Sequence, residues 1–169
     1  MEKLSGDYVA GFVDGEGCFA LKFRRDVRND RKNKPVYYYW DIEFAIMLHA
    51  DDKDILDRIQ DALGCGKVGM VDKRGYVRYS ITDVGELSGK VIPFFKRYPL
   101  QAKKSFDFEL WKEAVAIFVR NQRKKVNIEK GKDGFQRNPW SEEDVSRLKE
   151  IYEEMRLYKG TKKSLKWLK

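Results

Sequence analysis

The segment that most constrains this chain is residues 9–17, which reads V-A-G-F-V-D-G-E-G. The apolar pattern leading into it predicts a short helix over residues 5–13, with Ser5 as the N-cap. Two acids, Asp14 and Glu16, then stand between glycines where this helix should end. The C-terminal end of a helix is the negative pole of its dipole and disfavours carboxylates. Acids placed there are costly unless cations neutralise them, which indicates a functional site.

The composition is typical of a basic globular protein. The chain has 169 residues, 42% of them hydrophobic, which is enough for one domain with a buried core. Its formal net charge of +8 indicates a polyanionic partner, nucleic acid ahead of a membrane. No apolar run is long enough to cross a bilayer, and two cysteines are too few for a disulfide framework. We therefore expect an intracellular location, in a prokaryotic cytoplasm or an organelle, with no membrane partner, no small-molecule substrate and no secretion.

Hydrophobic periodicity predicts an α+β fold. Alternating patterns predict strands at residues 18–25, 36–48, 66–73 and 76–82. Helical patterns after the first helix predict helices at residues 52–63, 84–97 with an interruption at Pro93, 103–120, and one that starts at Ser141. Four antiparallel strands in this order would expose one polar, basic-leaning face, and the helices would cover the other.

A polar sheet face of this kind fits the major groove of DNA, which admits a two-stranded β-ribbon. Arg and Lys suit guanine edges and phosphates, and an Asp can accept a hydrogen bond from cytosine. The residues that we expect to contact DNA are Lys22, Arg24, Arg28, Tyr37, Tyr39, Asp41, Lys67, Arg78 and Ser80. The pattern leaves open the alternative of an ordinary solvated sheet face.

Residues 9–17 resemble the nine-residue signature of the LAGLIDADG homing endonucleases. Ala10, Gly11, Asp14 and Gly17 match the signature letter for letter, and the other five positions are conservative replacements. The segment Y-P-L-Q-A-K-K-S-F-D-F, residues 98–108, resembles the same family.

The resemblance covers about residues 5–120 and implies the family's αββαββα fold, a four-stranded antiparallel saddle sheet backed by helices. A C-terminal helical extension would follow. We assign residues 1–120 to the core domain, and residues 121–169 to a basic linker and a C-terminal helix of the same domain.

The resemblance implies an intron-encoded DNA endonuclease that makes a double-strand break in a long pseudo-palindromic site by metal-dependent hydrolysis. It implies Glu16 as the metal-binding acid and the Gly15 carbonyl as a supplementary ligand. Mg²⁺ is the implied cofactor, with Mn²⁺ or Ca²⁺ as substitutes for binding. Lys103 aligns with the family's active-site lysine, and its neighbour Lys104 is the second candidate. Asp14 matches the signature's earlier acid, which is mainly structural.

One motif in one domain implies a homodimer on double-stranded DNA. Gly11 and Gly15 lie four residues apart, so two copies of this helix could approach backbone to backbone. We place Ala10, Gly11 and Asp14 in the dimer interface, with both acidic helix ends near the two-fold axis. Two alternatives remain: a non-cleaving relative, either an RNA maturase or a DNA-binding regulator, and an unrelated basic RNA-binding domain. The retained Glu16 favours the nuclease.

Overall fold

The computed structural model describes residues 3–27, 29, 32, 36–122 and 140–158. The helices are α1 (Gly6–Glu16), α2 (Lys53–Leu63), α3 (Val84–Glu86), α4 (Ile92–Arg97), α5 (Lys104–Gln122) and α6 (Glu142–Tyr158). The strands are β1 (Gly17–Val27), β2 (Val36–His49), β3 (Lys67–Val68) and β4 (Tyr76–Ile81). The predicted α+β order is therefore confirmed. Within the described ranges, no helix is both long and apolar enough to cross a membrane.

The four strands form one antiparallel sheet in the order β1-β2-β4-β3. β1 and β2 pair from Gly17 opposite Ile46 to Val27 opposite Val36. Within β2, only the later part pairs with β4, beginning where Phe44 lies opposite Ile81. Among the described residues, positions 36–43 of β2 therefore pair on one side only, and the β1-β2 hairpin projects beyond the rest of the sheet.

The core lies between one face of this sheet and the helices. Phe19 of β1 is buried, with ring centroids 5.1 Å from Trp111 of α5 and 5.2 Å from Phe44 of β2. Burying an aromatic side chain of this size stabilises the fold by about 1.5–3 kcal/mol. The predicted sheet with one face covered by helices is therefore observed, and Phe44 and Tyr79 are both buried on that face.

The first helix is longer than predicted. α1 runs to Glu16 rather than ending at residue 13, so Asp14 and Glu16 lie in its last turn. The Gly17 N–H donates to the Val13 carbonyl, and β1 begins at Gly17 itself. A Cβ at Gly17 would lie 2.5 Å from Cγ1 of Val13, so only glycine fits this abrupt change from helix to strand. The prediction ended the helix at residue 13 because acids are disfavoured in the last turn of a helix, and this excluded Asp14 and Glu16.

The third strand is shorter than predicted. β3 comprises only Lys67–Val68, whereas the alternating pattern predicted residues 66–73. The Asp72 carboxylate accepts hydrogen bonds from the backbone N–H groups of Arg74 and Tyr76, at 2.9 Å each. Gly75 completes the turn with a φ of 82°, in the left-handed region that favours glycine. A broad turn therefore replaces the end of the predicted strand.

The interruption predicted at Pro93 is confirmed, and it takes the form of a π turn at Leu87–Val91 between α3 and α4. Pro93 has no N–H to donate to the Gly89 carbonyl, and its ring would clash with that oxygen. The helix widens instead, and the Ile92 N–H donates to the Leu87 carbonyl, five residues back.

α6 packs on α5 through a buried polar cluster. The Asp144 carboxylate accepts hydrogen bonds from the Arg120 guanidinium and, at 2.9 Å, from the Asn121 amide. Its backbone N–H donates to the Ser141 hydroxyl at 3.2 Å. The predicted domain boundary at residue 120 falls within α5 and stays a prediction, because residues 123–139 of the predicted linker lie outside the described residues.

Replacing Asp144 by alanine should lower the free energy of unfolding by about 1–3 kcal/mol, because the buried Asn121 amide and the partly exposed Arg120 guanidinium lose their acceptor. The hydrogen bond from Arg120, followed by that from Asn121, holds the pKa of Asp144 below its ordinary value. A lowered folded-state pKa stabilises the fold above the ordinary carboxyl pKa, and this stabilisation is lost as the pH falls below it. Urea unfolding at pH 7 and at pH 3 should therefore show a smaller difference between variant and wild type at the lower pH.

Glu142→Ala is the matched control, since this acid is exposed in the same turn of α6. Equal losses in the two variants at pH 7 would contradict a specific role for Asp144.

Candidate active site and nucleic-acid interface

Asp14 joins the end of α1 to the chain that enters α5. Its Oδ2 accepts hydrogen bonds from the backbone N–H groups of Gln101, at 2.7 Å, and Ala102, at 3.2 Å. Its Oδ1 is buried and has no hydrogen-bond partner among the described residues. Both donors immediately precede α5, and their hydrogen bonds offset the cost of placing a carboxylate at the end of α1. These contacts agree with the structural role implied for Asp14.

Lys104 places a positive charge at the end of α1. Its Nζ donates to the carbonyl oxygens of Gly17, at 2.5 Å, and Gly15, at 3.2 Å. Burial lowers the pKa of Lys104, while the nearby acids, among them Asp14 and Glu16, partly offset that effect. An ammonium group here satisfies helix-end carbonyls and compensates the negative pole of the dipole.

These contacts favour Lys104 over Lys103 as the lysine of the site. The side chain of Lys103 is exposed and its ammonium group makes no hydrogen bond or ion pair with a described residue. Successive residues of a helix point about 100° apart, so only one of two adjacent lysines can face α1. Matching letters to a motif could not settle the choice, because it depends on the rotation of α5 about its axis.

Glu16 is exposed at the end of α1, and its carboxylate makes no hydrogen bond or ion pair with the described part of the chain. In the ranges that the structure describes, no three His, Cys, Asp or Glu side chains are grouped closely enough to hold a metal ion. Glu16 is followed on β1 by Cys18, which is also exposed. A single chain therefore presents one unpaired carboxylate, that of Glu16, at the end of α1.

The outer face of α1 is built from small residues. Gly11 and Gly15 are exposed, and a Cβ placed on either would meet nothing within 4 Å. Tyr8 lies on the same face at i−3 from Gly11 and is 49% exposed, a position that sequence reasoning missed. Ala10 differs from the prediction, because it is only 4% exposed and packs in the core of its own chain. The rotation of α1 turns Ala10 inward, so its side chain is not available to a dimer interface.

The predicted DNA-contacting side chains that the structure describes share the sheet face opposite the core. Lys22 lies opposite Asp41, Arg24 opposite Tyr39, and Lys67 opposite Ser80, while Arg78 shares β4 with Ser80. Tyr37 occupies β2 opposite Asp26, but its side chain lies outside the described residues, as does the whole of Arg28. The predicted grouping on one face is therefore observed for Lys22, Arg24, Tyr39, Asp41, Lys67, Arg78 and Ser80.

Glu43 is a residue of this face that was not among the predicted contacts. It is only 7% exposed, and its carboxylate binds Lys22 of β1 through Oε2 and Arg78 of β4 through Oε1. Burial pushes the pKa of Glu43 up, but the hydrogen bonds from Lys22 and Arg78 more than reverse this and leave the pKa lowered. The sequence signal that could have identified Glu43 is an acid on a central strand whose two neighbouring strands carry basic residues.

A second acid–base pair lies two residues before Glu43 on β2, where Asp41 meets Arg24 of β1. Nε of Arg24 lies 2.5 Å from Oδ2 of Asp41, and both side chains are partly exposed. Exposed pairs of this kind add about 0–1 kcal/mol to stability, so their effect is on side-chain position and local charge. The sheet face thus presents cations that are already paired with acids of β2.

The sequence matches a family model described as LAGLIDADG endonuclease over residues 9–115. "Probable intron-encoded endonuclease 3" of Neurospora crassa is 32% identical over 109 residues, which are 64% of this chain and 19% of that protein. "Homing endonuclease I-ApeII" of Aeropyrum pernix is 28% identical over 122 residues, which are 70% of this chain and 67% of that protein. Several of the curated relatives are therefore much longer than this chain.

Solved structures share the fold. The LAGLIDADG homing endonuclease I-LtrWI bound to target DNA superposes with a TM-score of 0.70 and 24% identity, covering 91% of this chain and 45% of that one. The homing endonuclease I-TnaI superposes with a TM-score of 0.67 and 25% identity, covering 94% of this chain and 98% of that one. The family match over residues 9–115 spans the α1 motif, the whole sheet and the start of α5. This chain therefore belongs to the LAGLIDADG endonuclease family.

Proposed function

We propose that this protein is a site-specific endonuclease that makes a double-strand break in DNA by divalent-metal-dependent hydrolysis of phosphodiester bonds. The observation that carries the proposal is the free carboxylate of Glu16 beside the half-buried Lys104 at the end of α1. An unpaired acid facing a polyanion weakens binding by repulsion. A protein that only bound nucleic acid would have no use for it, whereas a hydrolase needs an oxygen ligand there.

The open face of α1 supports a homodimer. Within this chain nothing contacts a Cβ placed on Gly11 or Gly15, so the fold of one subunit does not require glycine at either position. A second α1 crossing there would require it, because the two backbones could then approach closely. Two-fold symmetry would bring a Glu16 from each subunit together and match a pseudo-palindromic site.

The residues present fit a hard divalent cation such as Mg²⁺. Mg²⁺ favours oxygen ligands, is commonly held by one or two carboxylates, and takes its other ligands from water and substrate phosphates. Glu16 supplies the carboxylate. The Gly15 carbonyl already accepts a hydrogen bond from Lys104, so its second lone pair is the one available to a supplementary metal bond. Such a cation, when bound, lowers the pKa of water and stabilises the charge of the leaving oxygen.

Lys104 can act on the charge that develops during hydrolysis. Attack on a phosphodiester builds negative charge on the phosphorus oxygens, and a fixed ammonium group nearby stabilises that charge more than the ground state. The carbonyls of Gly15 and Gly17 hold the ammonium group in place before substrate arrives. Burial lowers the pKa of Lys104, and the nearby acids Asp14 and Glu16 favour its protonated form.

The comparisons support a DNA partner. I-LtrWI is described as bound to target DNA, and I-SmaMI as bound to an uncleaved DNA target in the presence of calcium ions. The sheet face of this chain presents Lys22, Arg24 and Arg78, which suit guanine edges and phosphates. The positive net charge adds long-range attraction to a polyanion.

The first test is cleavage of a plasmid library that carries intron-junction sequences, with Mg²⁺ present. Wild-type protein should linearise a subset of plasmids, and Glu16→Gln should cut at least about 100-fold more slowly while still binding, because metal catalysis supplies several kcal/mol. Tight, site-specific binding without cleavage in either Mg²⁺ or Mn²⁺ would instead assign the chain to the non-cleaving binders, such as maturases.

The second test separates the adjacent lysines. Lys104→Met should slow single-turnover cleavage about 100-fold or more, because it removes a charge placed for the transition state. Lys103→Met should change the rate by less than about threefold, since an exposed lysine contributes mainly to nonspecific attraction. Equal losses, or a larger loss for Lys103, would contradict the assignment of Lys104.

The third test concerns the dimer. Gly11→Leu should fold at least as stably within one subunit, because glycine inside a helix costs about 0.5–1 kcal/mol relative to alanine. It should nevertheless weaken dimerisation at least about 100-fold, measured by sedimentation equilibrium, because Leu side chains would separate the crossing helices.

Gly89→Leu is the matched control for this substitution. Gly89 also has nothing within 4 Å of a placed Cβ, but it lies in the π turn away from α1. If Gly11→Leu left the dimer intact, or if the wild-type protein were monomeric on DNA, the symmetric arrangement would be excluded.

A further inference from the structure

Glu43 connects three strands of the proposed DNA face. It lies on β2, while its two partners lie on the strands to either side, Lys22 on β1 and Arg78 on β4. Oε2 accepts a hydrogen bond from the Lys22 ammonium. Oε1 accepts one from Nε of Arg78 at 3.2 Å and lies 2.8 Å from its Nη2 in an ion pair. Each carboxylate oxygen is therefore committed to one cation.

The two cations cover the acid from solvent. The side chain of Glu43 is 9% exposed, against 38% for Lys22 and 43% for Arg78. DNA lying on this face would meet the ammonium and guanidinium groups before the carboxylate. Both groups keep N–H donors in excess of those given to Glu43, because a guanidinium carries five and an ammonium three. They can therefore bind bases while they remain attached to the acid.

Attachment to one acid changes how these cations bind DNA. A long side chain that is already held in one arrangement loses less rotamer freedom on binding. One carboxylate also cancels one of the two positive charges, which weakens the sequence-independent attraction to phosphates. Both effects favour contacts that depend on base identity over contacts that do not.

The same arrangement continues beside Glu43. Lys22, Arg24, Asp41 and Glu43 line a groove of about 430 Å³ where β2 extends past the end of β4. Asp41 is more exposed than Glu43, and among the described residues the one cation that it binds is Arg24. Glu43 is thus the acid whose removal would release two cations at once.

We infer that Glu43 is a positioning residue for DNA sequence discrimination: it holds Lys22 and Arg78 in one arrangement and limits their nonspecific attraction to phosphates. The inference rests on the proposed function, because it requires DNA on this face of the sheet. Glu43 would act through Lys22 and Arg78, without contacting the DNA itself.

The experiment uses the full chain and measures binding rather than cleavage. A preferred site is selected from a random duplex library in Ca²⁺, and affinities for that site and for a random duplex of equal length are measured over a range of KCl concentrations. Glu43→Gln should bind the random duplex about 3- to 10-fold more tightly, with the salt slope steeper by about 0.9 for each phosphate newly contacted. Its ratio of specific to random affinity should fall about tenfold.

Two further variants separate charge from position. Glu43→Asp keeps the charge but withdraws the carboxylate, so the salt slope should stay near that of wild type while the discrimination ratio falls. Glu113→Gln makes the same charge change at an ion pair with Arg147 between α5 and α6, and should leave both quantities near wild type. If the Gln variant did not fold, the Asp variant would still test the discrimination ratio.

If both Glu43 variants kept the wild-type discrimination ratio on a site that wild type selects, the inference about Glu43 would be overturned. The proposed function would be unaffected. Equal changes in Glu43→Gln and Glu113→Gln would also overturn it, because net charge would then explain the effect. If wild-type protein selected no sequence, the site-specific function itself would fail, and the inference with it.

Discussion

The end of α1 is held to the start of α5 by one carboxylate and one ammonium group. Asp14 accepts two backbone hydrogen bonds from the chain entering α5, and Lys104 of α5 donates to the carbonyls of Gly15 and Gly17. The Lys104 ammonium compensates the negative end of α1, and the two backbone hydrogen bonds offset the cost of placing the Asp14 carboxylate there. The positions of Glu16 and of the sheet that begins at Gly17 both follow from this joint. A site built on fixed helix ends is more precise than one carried by a loop.

The sheet face that we propose binds DNA shows a related balance of charge on a larger scale. Acids on β2 hold cations from both neighbouring strands, with Glu43 buried beneath Lys22 and Arg78 and Asp41 beside Arg24. A uniformly basic face would bind any duplex strongly and discriminate poorly, because phosphates carry no sequence information. Pairing leaves the face positive while committing its side chains to particular positions. At the end of α1 the balance differs, since Glu16 there has no partner among the described residues.

Most of the fold could be predicted from local patterns, and the differences have local causes. The alternation in β1, β2 and β4 identified their inward residues, and Pro93 marked the interruption seen as a π turn. The end of α1 was placed too early because acids disfavour a helix C-terminus unless a tertiary partner neutralises them, and Lys104 is far away in sequence. β3 was placed too long because the hydrogen bonds of Asp72 compete with the strand ladder, which alternation does not register.

The sequence by itself determined the order of the elements, the family motif with its two acids, and the pair of adjacent lysines at residues 103 and 104. Those properties depend on residue type and spacing along the chain. Only the tertiary structure decided which lysine faces α1, that Ala10 turns inward, and that Glu43 holds two cations from different strands. These outcomes depend on the rotation of helices about their axes and on strand register. Packing of residues distant in sequence sets both, and no short stretch of residues encodes either.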